Sequence, residues 1–156
     1  MQLDANHLLI FGGIDKRTRY NDVWVLNYEE KAWKQVEVAP DPEAPGVPEP
    51  RAHFTATRFG NKIFIFGGYG GSGQVYSDTW ILHVDDEGYR WENITSKLEG
   101  TGPTPRFDHC AFICECSQGM VRNGIGHEPQ PPTSLLAMHS AYNLSSDCCP
   151  SLLQTR

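Results

Sequence analysis

Leu9-Ile10-Phe11-Gly12-Gly13 and Phe64-Ile65-Phe66-Gly67-Gly68 are two apolar runs that each end in Phe-Gly-Gly. Ten or eleven residues after the first glycine comes Asp-x-Trp-x-Leu, as Asp22-Val23-Trp24-Val25-Leu26 and as Asp78-Thr79-Trp80-Ile81-Leu82. A further tryptophan follows each copy, Trp33 and Trp91. Phe11 to Phe66 is 55 residues, Asp22 to Asp78 is 56, Trp33 to Trp91 is 58, and Pro50-Arg51 to Pro105-Arg106 is 55. Four landmarks recur in order at nearly one period, so the chain carries an internal repeat, and such repeats decide the architecture.

Each repeat reads as β-structure. Leu8 to Phe11 and Ile63 to Phe66 are continuous apolar runs of strand length, which predicts strands buried on both faces. Val23 to Tyr28 and Thr79 to Val84 are the next strands. Glu29-Glu30-Lys31 and Asp85-Asp86-Glu87-Gly88 read as hairpin turns. Trp33 to Val38 and Arg90 to Ile94 interleave apolar and charged residues, the pattern of an outer strand with one wet side. The double glycines suit positive φ or a close backbone approach.

The pattern resembles the kelch repeat, in which each repeat forms one four-stranded blade of a β-propeller. The resemblance covers residues 7 to about 114. Its markers are Gly12, Gly13, Asp22, Trp24 and Trp33, then Gly67, Gly68, Asp78, Trp80 and Trp91, with Pro-Arg ahead of each following blade. It implies an all-β fold: a kelch-type propeller fragment of about two blades plus the first strand of a third, Phe107 to Cys114, followed by an irregular C-terminal tail. The domain reading is 1–114 for the repeats and 115–156 for a disordered tail, or for sequence foreign to the propeller such as an alternative splice form, a retained intron or a frame change. Propellers protect their blade faces by closing a ring of about 4–8 blades. A fragment of this kind is therefore expected to belong to a longer propeller, or to self-associate.

Composition narrows the function. The 156 residues suit about one domain, and the net charge of −6 argues against a general nucleic-acid binder. The N-terminus shows no signal-peptide pattern and no run approaches a membrane span of about 20 residues, so a cytoplasmic protein with reduced thiols is expected. Two glycosylation sequons, at Asn93 and Asn143, are then idle.

Several motifs fall away on chemistry. Gly67 to Gly73 lacks the Lys of a phosphate-binding loop and leads into a strand. Cys110 and Cys114 would stand about 13 Å apart along one extended strand, at about 3.3 Å per residue, too far to share one zinc ion. His7, His53, His83 and His109 fall at unrelated places in the repeat, and no nucleophile–base pair is evident. Asp22 and Asp78 hold equivalent positions, where a carboxylate is expected to accept backbone N–H bonds. The tryptophans are expected to pack the blades. No catalytic residue, metal site or cofactor is assigned.

The expected function is protein–protein interaction, as a scaffold or adaptor. In kelch propellers the loops between second and third strands and those between blades emerge at one end, where peptide partners dock. The resemblance implies Lys16, Arg17, Arg19 and Tyr20 in one loop and Tyr69, Gln74 and Tyr76 in the next as partner-binding residues. Arg51 and Arg106 match the inter-blade arginine that faces the pocket in members binding acidic peptides. The competing expectation is that each arginine pins its loop. The Pro-rich linker Ala39 to Pro50 is expected to lie over the same face as a stiff segment. Partners are thus expected to be protein or peptide, with acidic ones favoured, and neither nucleic acid nor membrane. The alternatives are part of a propeller metalloenzyme, an oxidase or a lyase-like specifier, and a non-functional truncated product.

Overall fold

The structure, a computed structural model, describes residues 1–43, 45–114 and a strand at 135–139. β1 (His7–Asp15), β2 (Thr18–Asn27) and β3 (Ala32–Val36) form an antiparallel sheet in chain order, the first blade. After β4 (Val38–Ala39), the second blade follows as β5 (Thr55–Phe59), β6 (Lys62–Gly71), β7 (Gln74–Asp85) and β8 (Gly88–Asn93). β4 joins this second sheet, pairing in parallel with β8 at its outer edge. The chain thus crosses between blades at their rim. No α-helix is present among the described residues.

The sequence repeat is a repeat of register. Leu26 stands opposite Trp33 in the first blade and Leu82 opposite Trp91 in the second. In both blades the ladder slips just after Phe-Gly, between Phe11 and Gly13 and between Phe66 and Gly68. β9 (Cys110–Cys114) opens a third unit at the position equivalent to β5. It pairs with β10 (Leu135–His139), Ala137 opposite Phe112. The irregular tail expected from residue 115 therefore contains a strand at 135–139; the rest of that stretch lies outside the described residues.

Side chains alternate along each strand, so a blade presents two faces. Leu9, Phe11, Val23 and Val25 of the first blade meet Ile63, Ile65, Trp80, Leu82 and Trp91 of the second in one core. Trp91 sits at its centre, edge-on to Phe11 at 5.0 Å and to Trp80 at 6.3 Å. The outer faces differ. Leu8 and Ile10 are 37% and 44% exposed, so β1 is buried on one face and not on both. Trp33, expected to pack a blade, is 48% exposed where its counterpart Trp91 is 1% exposed. The physical reason is position: Trp91 faces the first blade, while Trp33 faces the side where no blade stands among the described residues. On the far side of the second blade, Phe64, Phe66, Thr79, Ile94, Leu98 and Pro103 line an open groove of about 700 Å³.

Residues 1–3 fold back along the free edge of β1. Leu9 N–H donates to Met1 O at 2.7 Å, the N-terminal ammonium donates to Leu9 O at 2.7 Å, and Leu3 is buried in the core.

Candidate functional site

The double glycines receive the inter-blade loops. Gly13 N–H donates to Arg51 O and Gly68 N–H to Arg106 O, both at 2.9 Å. In return Arg51 N–H donates to Tyr20 O and Arg106 N–H to Tyr76 O, both at 3.1 Å. Gly67 has φ +62°, and a Cβ there would stand 2.6 Å from Arg106 O. The chain needs glycine because the loop backbone lies where a side chain would be. Each loop arginine is thus bolted by its backbone to the preceding blade.

The Arg51 side chain then reaches the following blade. Its Nη1 and Nη2 donate to Asp78 Oδ1 and Oδ2 at 2.6 and 2.8 Å, and Nη1 also donates to Gly67 O at 3.0 Å. Nε donates to Glu49 O at 3.0 Å, and the guanidinium stacks 4.2 Å from the Tyr76 ring centre. Burial raises the Tyr76 phenol pKa, with the Arg51 charge opposing. Arg51 is fully buried. Of its two expected roles, facing a partner and pinning the inter-blade loop, these contacts are those of the second, since every edge of the guanidinium is engaged inside the protein. The Asp-x-Trp aspartates also differ from expectation. Trp24 Nε1 donates to Asp22 Oδ2 and Trp80 Nε1 to Asp78 Oδ2, each at 2.6 Å, so their donors are side chains.

Arg106 repeats the backbone half of this arrangement only. Its side chain turns back on its own loop, Nε donating to Thr104 O at 3.0 Å and Nη2 to Thr104 Oγ1 at 3.1 Å. No carboxylate pairs with it among the described residues. Three residues on, His109 packs edge-on against Phe66 at 5.4 Å, as Phe54 packs on Phe11 at 5.2 Å in the preceding repeat. Burial first, then the Arg106 charge, lowers the His109 pKa below its ordinary value.

At the loop end the structure assembles a basic and aromatic cluster. The Arg19 guanidinium lies 4.9 Å from the Tyr69 ring centre, Tyr69 lies 5.5 Å from Phe107, and Phe107 lies 6.3 Å from His53. Arg19 Nη1 donates to Arg17 O at 3.0 Å, and its Nε is buried with no hydrogen-bond partner. A Cβ at Gly71 would stand 2.7 Å from Arg19 Nη1, and one at Gly70 would overlap the Tyr76 hydroxyl. The glycine-rich run therefore makes room for an arginine and a tyrosine. Lys16 and Arg17 form the exposed two-residue turn between β1 and β2, with Lys16 at φ 48°. Tyr20 is exposed beside it, and Gln74 is exposed at the start of β7.

Of the sequence-assigned residues, Arg19 and Tyr69 are in contact, Lys16, Arg17, Tyr20 and Gln74 stand exposed at the two hairpins, and Tyr76 is half-buried against Arg51. His53 and Phe107 were not assigned from sequence. Their signal was present: Arg51-x-His53 and Arg106-Phe107 lie in the inter-blade elements that reach the same end. His53 Nδ1 lies 2.7 Å from Asp108 Oδ1, and Asp108 N–H donates to His53 O, linking successive inter-blade loops. The linker of residues 39–50 was expected to lie over this face, and its contacts run from the blade rim to Asn21. It starts at the rim as β4, buries Asp41 and Pro48, and ends with Pro48 O accepting from Asn21 Nδ2 at 3.0 Å. No group of three or more potential metal ligands occurs among the described residues, and no described helix is long and apolar enough to cross a membrane.

Antiparallel blades stacked face to face, with the loop arginine Arg51 bridging them, define a fragment of a β-propeller. A family model described as the KLHDC2/KLHL20/DRC7 Kelch-repeats domain matches residues 1–137, and the chain belongs to the kelch-repeat family. It is 62% identical over 111 residues to the dynein alpha chain of the flagellar outer arm from Chlamydomonas reinhardtii, a match covering 71% of this chain and 2% of that protein. It is 33% identical over 114 residues to Adagio-like protein 3 from Oryza sativa subsp. japonica, covering 71% of this chain and 17% of the relative. It is 29% identical over 124 residues to human Kelch domain-containing protein 10, covering 78% and 26%. The chain spans about a quarter or less of each of these three relatives.

Proposed function

We propose that this chain is a protein-recognition module that binds a partner through its loop end and carries out no chemistry. The observation that carries this reading is the Arg19–Tyr69–Phe107 cluster, flanked by Lys16 and Arg17. Arginine and tyrosine are among the residue types that most often anchor interfaces, and the ends of β2 and β6, one in each blade, hold them. The partner is an acidic peptide segment, because the loop end presents three cationic side chains in one β1–β2 hairpin, on a chain whose net charge is negative. A carboxylate would take the outer edge of the Arg19 fork, a charge-assisted contact. The 62% identity to a flagellar outer-arm dynein chain supports a place for the module in a flagellar motor, as a docking element.

A peptide array with graded acidic content tests this. Wild-type chain is expected to retain acidic spots, Arg19→Ala to lose them, and Arg90→Ala, changed on β8, to keep them. Equal retention by Arg19→Ala, or no preference for acidic spots, would sink the reading.

A further inference from the structure

The Arg51–Asp78 ion pair joins residues 27 apart, one in the inter-blade loop and one in the blade that follows. The repeat supplies the two halves of a second such pair without joining them. Arg106 holds the backbone position of Arg51 but has no carboxylate among the described residues. Asp22 holds the position of Asp78 and accepts from Trp24 Nε1 at Oδ2, with no arginine on it among the described residues. The two halves stand at opposite ends of the two-blade stack. Each comes with the matching apolar face: Phe64 and Phe66 on the Arg106 side, Leu8, Ile10 and Trp33 on the Asp22 side.

We propose that the chain binds a second copy of itself head to tail. The Arg106 fork of one copy closes on Asp22 of the next, and the Phe64–Phe66 face of one second blade covers the Leu8–Ile10 face of the next first blade. The fit follows from the repeat. Inside one chain the face carrying Phe11 already packs on a blade bearing Asp78-x-Trp80, and the face carrying Phe66 meets its equivalent, Asp22-x-Trp24, in a second copy. β9 of one copy then lies along β1 of the next, in the register by which Ala56 meets Ile65 in the intact blade. This displaces what those two edges hold now, the Met1–Leu3 segment hydrogen-bonded along β1 and the β9–β10 ladder. The contact is heterologous, so it propagates until the ring closes. With two blades per copy, closure at about 4–8 blades takes roughly two to four copies.

Light scattering coupled to size exclusion on the 156-residue chain decides this. The wild type is expected at one discrete multiple of 17.5 kDa. Asp22→Arg alone and Arg106→Asp alone are expected to run as monomers, and the double variant, with the pair reversed, to regain the multiple. Arg106→Ala, which removes only contacts to Thr104, is expected to keep its circular dichroism and lose the association. A monomeric wild type, an Arg106→Ala chain with wild-type mass, or a folded double variant that stays monomeric would each overturn the proposal.

Discussion

Arg51 grips Asp78 with both terminal nitrogens, at 2.6 and 2.8 Å, while its backbone is held by Gly13 and Tyr20 of the preceding blade. One residue therefore ties two blades together, by backbone on one side and by side chain on the other. Arg51→Ala leaves Asp78 without its cation, and breaking such an enclosed pair costs about 3–5 kcal/mol. Because Asp78 keeps a quarter of its side-chain surface in water, the low end of that range is expected. Arg51→Lys keeps the charge but not the planar fork, and falls between. Arg106→Ala is expected to change the stability of the monomeric chain little. Urea unfolding of the three variants checks the order.

Gly67 and Gly60 separate close approach from backbone strain. Both have positive φ, +62° and +58°, but a Cβ at Gly67 meets Arg106 O at 2.6 Å, whereas one at Gly60 meets nothing within 4 Å. Gly60→Ala is expected to cost only the left-handed penalty of about 1–2 kcal/mol. Gly67→Ala is expected to cost clearly more, because the inter-blade loop must move. Paired thermal melts measure the gap.

The equivalent tryptophans make a second controlled comparison. Trp91→Ala empties the centre of the inter-blade core and is expected to cost about 3–5 kcal/mol. Trp33→Ala, at an exposed face, is expected to fall within about 0.5 kcal/mol of wild type in the monomeric chain. Denaturant midpoints suffice to tell them apart.

His109 gives the fold an acid sensitivity. Its ring in the unfolded chain takes up a proton near pH 6.5, and in the folded chain only at lower pH. Between those values the unfolded state binds more protons, so this contribution is complete above pH 6.5 and is lost as pH falls below it. His109→Phe, the aromatic found at the equivalent Phe54, is expected to flatten stability between pH 7 and pH 5. Melting temperatures across that range are the readout.

The blades were legible in the sequence because each marker has a local backbone cause. Phe-Gly-Gly requires positive φ, and Asp-x-Trp places an indole N–H two residues from its acceptor. The strands follow at one register in both copies. What stayed hidden was tertiary context. Trp33 and Trp91 read alike, and only the presence of a neighbouring blade separates exposed from buried. Arg51 and Arg106 also read alike, yet one has its aspartate in the following blade and the other turns to Thr104. The loop residues Arg19 and Tyr69 were legible by composition, but their contact with each other, and with Phe107 and His53 from other loops, arises only when the blades stack. The strand at 135–139 carries no repeat marker and was missed.

The most direct measurement is backbone amide NMR of the chain titrated with an acidic peptide selected on the array. Shift changes concentrated at Arg19, Tyr69 and Phe107, absent in Arg19→Ala, are the result the account predicts. Shifts concentrated instead at Leu8 and Ile10 or at Phe64 and Leu98, with the loop end silent, would contradict it.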